Sequence, residues 1–482
     1  MAEYQTPLQT PASARPRKSL PRLALRLNLI ALPLLLACPA WAQTAATTNR
    51  QVTSLGTEIE KPGNEPLHIL YIHGIGAIGQ GDSESLRISI CKHALHYLHQ
   101  ACTTADGTFA GREYADQGIF DINNGPPPLD YMGSPAWSTP DEWHAAAPFV
   151  DHWLITLTGG KSILVDEINW WPLVFSVKCQ HIMPNETNLA GSLAGKYTNF
   201  LGICAQQRVH VGDGVTGRYD FYNWLAPLGM DPTTLNQLHK NSVPINRWAK
   251  AQIMDWNFSD ALLGVGPLED YLVEGIRQLL IKCVAKGAEE TAELTSRPAD
   301  PKDPNAQFII ISHSLGSFLI LSSYQSANDQ QELKFISLQE RKQRDQVFCY
   351  LMGRLSQVYF FANQIPLLEL ARMSPPDAKD YLDLSAWAGC RRTALGPGNM
   401  DPAKPLGQIV SWSDPNDLLT WYLGADFKSW QASDQSDILV VNNLVKNATT
   451  FNWLWLFENP DHAHNDYAKN RVVIRSLLQP LQ

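Results

Sequence analysis

Short apolar runs rich in β-branched and aromatic residues recur along the chain, separated by longer stretches of helical character. Five of them read as strands: Leu67–Ile72 (LHILYI), Ser162–Ile168 (SILVDEI), Phe308–Ile311 (FIII), Val358–Ala362 (VYFFA) and Gln408–Trp412 (QIVSW). A sixth lies in Asp437–Asn442 or Phe451–Phe457. Strands of this composition alternating with helices predict an α/β protein with a mostly parallel central sheet and helices on both faces. The first, third and fifth strands end directly in residues of chemical interest. The carboxyl edge of the strands is where an open α/β sheet places its site.

About 140 residues separate the second strand from the third, far more than an ordinary crossover needs. Residues 175–258 mix Trp, Tyr, Phe, Pro and Gly without a clean period, and we read them as a large inserted cap; a separate small domain is the alternative. Asp260–Lys286 then has the pattern of a helix returning to the sheet.

The strongest chemical signal is Phe308-Ile309-Ile310-Ile311-Ser312-His313-Ser314-Leu315-Gly316-Ser317, followed by the apolar helical run FLILSSYQ. Acyl transfer needs an unobstructed hydroxyl close to backbone N–H groups that can hold a developing oxyanion. A sharp strand-to-helix turn supplies both, and small residues at Ser312 and Gly316 let strand and helix approach there. The segment resembles the Gly-x-Ser-x-Gly nucleophile elbow of the α/β-hydrolase superfamily, in the His-Ser-Leu-Gly form of lipases and esterases, with Ser312 in place of the first Gly.

Three further segments carry the same resemblance. His73-Gly74-Ile75-Gly76, at the end of the first strand, is similar to the oxyanion loop of the superfamily. Carried over, Ile75 and Leu315 supply the two oxyanion N–H donors, and His73 orders the loop. The same loop formally fits a dinucleotide fingerprint, Gly74 to Gly79, but no strand ending in an acid follows about 20 residues on, as that motif requires. After the fifth strand, Ser413-Asp414-Pro415-Asn416-Asp417 offers two acids for the carboxylate that orients the base. Asp417 is favoured by its likeness to the Asn-Asp-x-Val form of many lipases, while Asp414 stands nearer the strand end. Near the C-terminus, Pro460-Asp461-His462-Ala463-His464-Asn465-Asp466-Tyr467 resembles the histidine loop of lipase-like members, where Ala-His-x-x-Tyr selects His464 over His462. The order Ser314, Asp417, His464 is that of the superfamily. Asp166 and Glu167, beside Trp170 and Trp171, fit a site wall, a buried ion pair or a helix cap equally well.

The resemblance spans residues 66–480 and implies the α/β-hydrolase fold interrupted by the cap. Its expected chemistry is that of an exported serine hydrolase: Ser314 attacks an acyl ester, His464 is the base, and no metal or organic cofactor takes part. Lipids and other apolar esters are the expected substrates. The alternative is a non-catalytic binding protein on the same scaffold.

Composition narrows the partners. Hydrophobic residues make up 44% of the 482-residue chain, with 15 Trp and 18% charged, so a large core is available. The net charge is −9 and no basic stretch recurs beyond the N-terminus, which excludes a nucleic-acid partner. Residues 1–42 read as a signal peptide: Arg15, Arg17, Lys18, Arg22 and Arg26, then the apolar run Leu27–Cys38, then Ala40-Trp41-Ala42. Its removal takes five basic residues and Glu3 from totals of 38 and 47, leaving 33 against 46, or −13. Residues 43–65 follow as a linker. Leu35-Leu36-Ala37-Cys38 also resembles a lipobox, so the exported protein is either periplasmic or secreted, or membrane-associated through a lipidated Cys38. Of the seven cysteines beyond this segment, 91/102 and 179/204 are the closest pairs in sequence; Cys283, in a helical run, reads as a buried apolar residue.

Overall fold

The structure is a computed structural model that describes residues 53–61, 66–75, 81–115, 147–172, 174, 259–266, 269–284, 306–325, 338–372, 384–396, 400, 405–423, 438–447 and 460–479. The expected signal peptide and cap lie outside these residues, as does the Cys179/Cys204 pair.

In chain order the elements are α1 (Leu55–Ile59), β1 (Leu67–Ile72), α2 (Glu84–Leu98), β2 (Thr108–Tyr114), β3 (Phe149–Thr156), β4 (Ser162–Asn169), α3 (Ser259–Val265), α4 (Glu269–Val284), β5 (Gln307–His313), α5 (Leu315–Gln325), α6 (Leu338–Arg354), β6 (Leu355–Phe361), α7 (Ile365–Arg372), α8 (Ser385–Leu395), β7 (Gly407–Ser413), β8 (Ile438–Leu444), α9 (Pro460–Asn465), a single 3₁₀ turn (Tyr467–Lys469) and α10 (Arg471–Leu478). The strands form one eight-stranded sheet in the order β2-β3-β4-β1-β5-β6-β7-β8. β3 is antiparallel to both β2 and β4, and every other pairing is parallel. The chain is therefore an α/β protein with a mixed, mostly parallel sheet.

The two-residue period of the strands divides the interior into two cores. Leu70, Ile72, Phe308, Ile310, Val358 and Phe360 face one side and pack against α4, α5, α6 and α8 through residues such as Ile276, Phe318, Leu351 and Trp387. Ile69, Tyr71, Ile309, Ile311, Tyr359 and Phe361 face the other and meet α1, α2 and α10 through Leu55, Ile90 and Ile474. Because both faces are covered, these strands read as unbroken apolar runs. A slip of one residue in β5 would exchange the two cores, so the hydrophobic pattern holds the position of Ser314 at its end.

Part of the segment read as a linker is built into this fold. Ser54 caps α1 by accepting from the Thr57 N–H, and its own Oγ donates to the Leu478 carbonyl of α10. Gly56 is pressed against the same carbonyl, which leaves no room for a side chain. Gln408 of β7 exchanges hydrogen bonds with the Thr53 backbone, and Gln357 of β6 donates to the Ser54 carbonyl.

The sixth expected strand is β8; the alternative run Phe451–Phe457 lies outside the described residues. The single returning helix expected over Asp260–Lys286 is two, α3 and α4, divided after Gly266. β2 and β3 were not anticipated. β2 is a largely exposed edge strand bulged at Gly111, and β3 buries Asp151, which breaks its apolar pattern; Arg112 neutralises it through a two-pronged pair at 2.6 and 2.8 Å.

Among the described residues two disulfides tie the helical layers: Cys91–Cys102 joins α2 to the segment before β2, and Cys349–Cys390 joins α6 to α8. Cys283 is buried in α4, as an apolar residue of that helix would be. Disulfides of this kind belong to an oxidising compartment. Among the described residues no helix is long and apolar enough to cross a membrane.

Candidate active site

Ser314 stands between the last residue of β5 and the first of α5, with φ at 55°. A serine in the left-handed region is strained, and the turn holds it there. Its N–H donates to the Phe361 carbonyl at the end of β6, 2.8 Å away. Behind it, Ser312 and Ser317 share a buried hydroxyl–hydroxyl bond of 3.0 Å, so the serine in the first small position joins the strand to the helix. Gly316 is required by crowding: a Cβ there would lie 2.5 Å from the His73 carbonyl oxygen and 2.7 Å from that of Ile72. Gly74 is equally confined, since its Cβ would come within 2.6 Å of the Ser314 Cβ. The end of β1 and the start of α5 thus close on each other around the serine.

His464, on the short helix α9, reaches Ser314 from the other side. Its Nε2 is 3.0 Å from Ser314 Oγ, and its Nδ1 is 2.9 and 3.0 Å from the two carboxylate oxygens of Asp417. A carboxylate only accepts, so the proton sits on Nδ1 and Nε2 presents a lone pair to the serine hydroxyl. All three side chains are buried, Ser314 completely.

Asp417 lies on the loop after β7. Its carboxylate accepts from the Leu419 N–H at 2.9 Å and from the Tyr467 hydroxyl at 3.2 Å. Burial, and then the Asp417 charge, push the Tyr467 phenol well above its ordinary value, so it remains a donor. The same hydroxyl accepts from the Asp414 N–H at 2.7 Å, which ties both acids of the loop to one phenol. Asn363, buried at the end of β6, braces the loop from beneath by donating to the Trp421 carbonyl and accepting from the Ile365 N–H.

The competing candidates are placed elsewhere. The Asp414 carboxylate is turned inward to the N–H groups of Asn416 and Asn447, so it orders its own loop. His462 is exposed and bonded to Asp466 at 2.6 Å. Leu315 is the first residue of α5, so its N–H has no partner within the helix. Ile75 follows Gly74 directly and packs against the larger core. His73 is buried, stacked on Trp170, and donates from Nδ1 to the Gly74 carbonyl. Asp166 is held between His68 and His152, in accordance with the ion-pair reading, whereas Glu167 binds the residues that precede α2. Among the described residues no group of three or more His, Cys, Asp or Glu could hold a metal ion.

Sequence reasoning missed His313. Its Nε2 donates to the His464 carbonyl at 2.8 Å, and its ring meets the His464 ring edge-on with centroids 4.9 Å apart. The elbow therefore supports the backbone of the histidine that its own serine faces. The one available signal was its place directly before Ser314.

Two of these histidines give a pH dependence. Burial is the main cause that lowers the pKa of His313 to about 3, with the neighbouring His464 adding to it, and that of His73 to about 4. An unfolded histidine titrates near 6.5, so between that value and the folded pKa the unfolded chain binds more protons. Stability is fully present above about pH 6.5 and falls as the pH drops toward 4, by up to roughly 1.4 kcal/mol per pH unit for each group. Thermal unfolding scans from about pH 7 to pH 4.5 should show a steep fall in midpoint, and His313→Gln should flatten it; equal slopes in both proteins would contradict this account.

No protein-family model, curated protein or solved structure matches the chain.

Proposed function

We propose that this chain is a serine hydrolase of the α/β-hydrolase fold that cleaves acyl esters, with apolar acyl chains and lipids as the preferred class. The observation that carries the reading is the continuous hydrogen-bond chain Ser314–His464–Asp417, with the serine held at φ 55° on a strand-to-helix turn. The mostly parallel sheet, with helices on both faces and the elbow at its strand edge, supports the assignment to this fold.

In the proposed reaction His464 Nε2 takes the Ser314 proton while Oγ attacks the acyl carbon. The N–H groups of Leu315 and Ile75 hold the oxyanion. Imidazolium is stabilised by Asp417 and returns its proton to the leaving alkoxide as the ester C–O bond breaks. A water, deprotonated by the same nitrogen, then attacks the acyl-enzyme, releases the carboxylic acid and restores the serine. Every proton moves through His464, and the proposed steps balance with these side chains, the two backbone N–H groups and water. We further read residues 1–42 as an export leader, with lipidation at Cys38 as its variant form; the two disulfides support an oxidising destination.

A fluorophosphonate probe tests the reading directly. Mass spectrometry of the digested protein should find the phosphonyl adduct on Ser314, formed within minutes and abolished by prior heat denaturation. A folded protein that leaves Ser314 unlabelled would be a binding protein on this scaffold, and the hydrolase reading would be wrong.

A further inference from the structure

His464 is carried by α9, a helix of six residues, too short to be stable in water on its own. Its place opposite Ser314 therefore depends on bonds from outside the helix. The last four carbonyls of a helix have no partner within it, and in α9 two of them are met by side chains from elsewhere in the fold. The Ala463 carbonyl accepts from Asn447 Nδ2 at 2.9 Å, and the His464 carbonyl accepts from His313 Nε2 at 2.8 Å. The second bond falls on the base itself. Its donor is the last residue of β5, directly before the nucleophile.

The other nitrogen of His313 faces the opposite wall of the site. A Cβ built on Gly74 would lie 2.9 Å from His313 Nδ1 and 2.6 Å from the Ser314 Cβ, so the imidazole is packed against the glycine that precedes Ile75. A carbonyl oxygen only accepts, which places the single proton of the neutral ring on Nε2. Burial, and then the His464 ring beside it, lowers the His313 pKa to about 3, so the ring is neutral around pH 7. Its centroid lies 4.9 Å from that of His464 and 6.4 Å from that of Tyr467, edge-on to both. One planar ring thus fills the space between the candidate oxyanion loop and the backbone of the base.

We propose that His313 is a positioning residue for the base: its Nε2–H holds the His464 carbonyl, and with it the imidazole, at hydrogen-bonding distance from Ser314 Oγ. The inference rests on the hydrolase reading above. His313 touches no reacting atom and acts through the backbone of α9.

His313→Gln and His313→Asn separate reach from chemistry. Both carry an amide N–H₂, but only glutamine places it as many bonds from the backbone as Nε2. In the full chain His313→Gln should keep kcat for a p-nitrophenyl ester within about fivefold of wild type, and His313→Asn should lower it by roughly 10–100-fold, the cost of a displacement near 1 Å. KM should stay within about twofold in both, because the bond serves the chemical step and not the binding of the ester. His313→Phe, which keeps a ring against Gly74 but has no N–H, should match the asparagine variant, and it carries the comparison if that protein does not accumulate. The proton between His464 Nδ1 and Asp417 gives a far-downfield NMR signal that reports the placement of the imidazole without turnover. It should persist in His313→Gln and broaden away in the other two variants. Equal kcat in the glutamine and asparagine variants, with only the thermal midpoint lowered in the second, would make His313 a purely structural residue and overturn the proposal. A proton signal unchanged in all three would overturn it independently of activity. A wild-type protein that neither labels at Ser314 nor hydrolyses the ester would instead refute the hydrolase reading, while the NMR comparison still decides whether His313 places His464.

Discussion

Ser314→Ala is expected to reduce kcat/KM for a short p-nitrophenyl ester by on the order of 10⁴–10⁶-fold, with the thermal midpoint within about 2 °C of wild type. The rate loss follows from removing the only atom that forms the acyl bond in the proposed mechanism. The small stability change follows from what remains. Alanine keeps the Cβ, so the backbone strain at φ 55° is the same in both proteins. The lost hydrogen bond to His464 is worth about 1 kcal/mol net. A variant that kept a tenth of its activity, measured on protein free of contaminating esterase, would refute the nucleophile assignment.

Asp417→Asn should lower kcat by roughly 10³–10⁴-fold. Both oxygens of Asp417 face donors: His464 Nδ1 contacts each, Leu419 N–H adds to one and Tyr467 Oη to the other. An asparagine must turn its amide N–H₂ toward one of these sides. Nδ1 of His464 then loses part of its acceptor, the Nε2–H tautomer becomes accessible, and the imidazolium loses the charge opposite it. Asp414→Asn provides the contrast. Its carboxylate serves Asn416 and Asn447, so the substitution should cost about 1–3 kcal/mol of stability while kcat falls less than tenfold. Should the two variants behave the other way round, Asp414 would be the orienting acid.

The parts of the fold that could be read in the chain are those where burial is uniform. β1, β5 and β6 are covered on both faces, so their apolar runs name them directly. In β2, the edge strand, exposure erases the pattern, and in its neighbour β3 a paired buried Asp151 does so. The same division holds at the site. Ser314, Asp417 and His464 each sit in a short motif whose local chemistry is visible. Glu167 could be read three ways, because its partners are 84 to 86 residues away and its role exists only in three dimensions. Tyr467 was visible as part of the histidine motif, but its hold on both acids depends on how two loops meet. The Cys91–Cys102 disulfide spans 11 residues and was suggested by proximity; the Cys349–Cys390 pair spans 41 and was not.

The bond between Ser54 and Leu478 joins positions 424 apart, and Gly56 is packed against the same carbonyl. Sealing the core beneath α1, α2 and α10 is therefore a long-range event that local structure cannot anticipate, and loop-closure entropy opposes it early in folding. A chain that leaves the ribosome starting from its N-terminus must hold α1 without this partner until the 424 positions that separate them have followed. His464 lies only a few residues ahead of α10, so the imidazole can meet Ser314 only after nearly the same length of chain has followed. The site and the contact that covers α1 thus wait on one and the same stretch of chain.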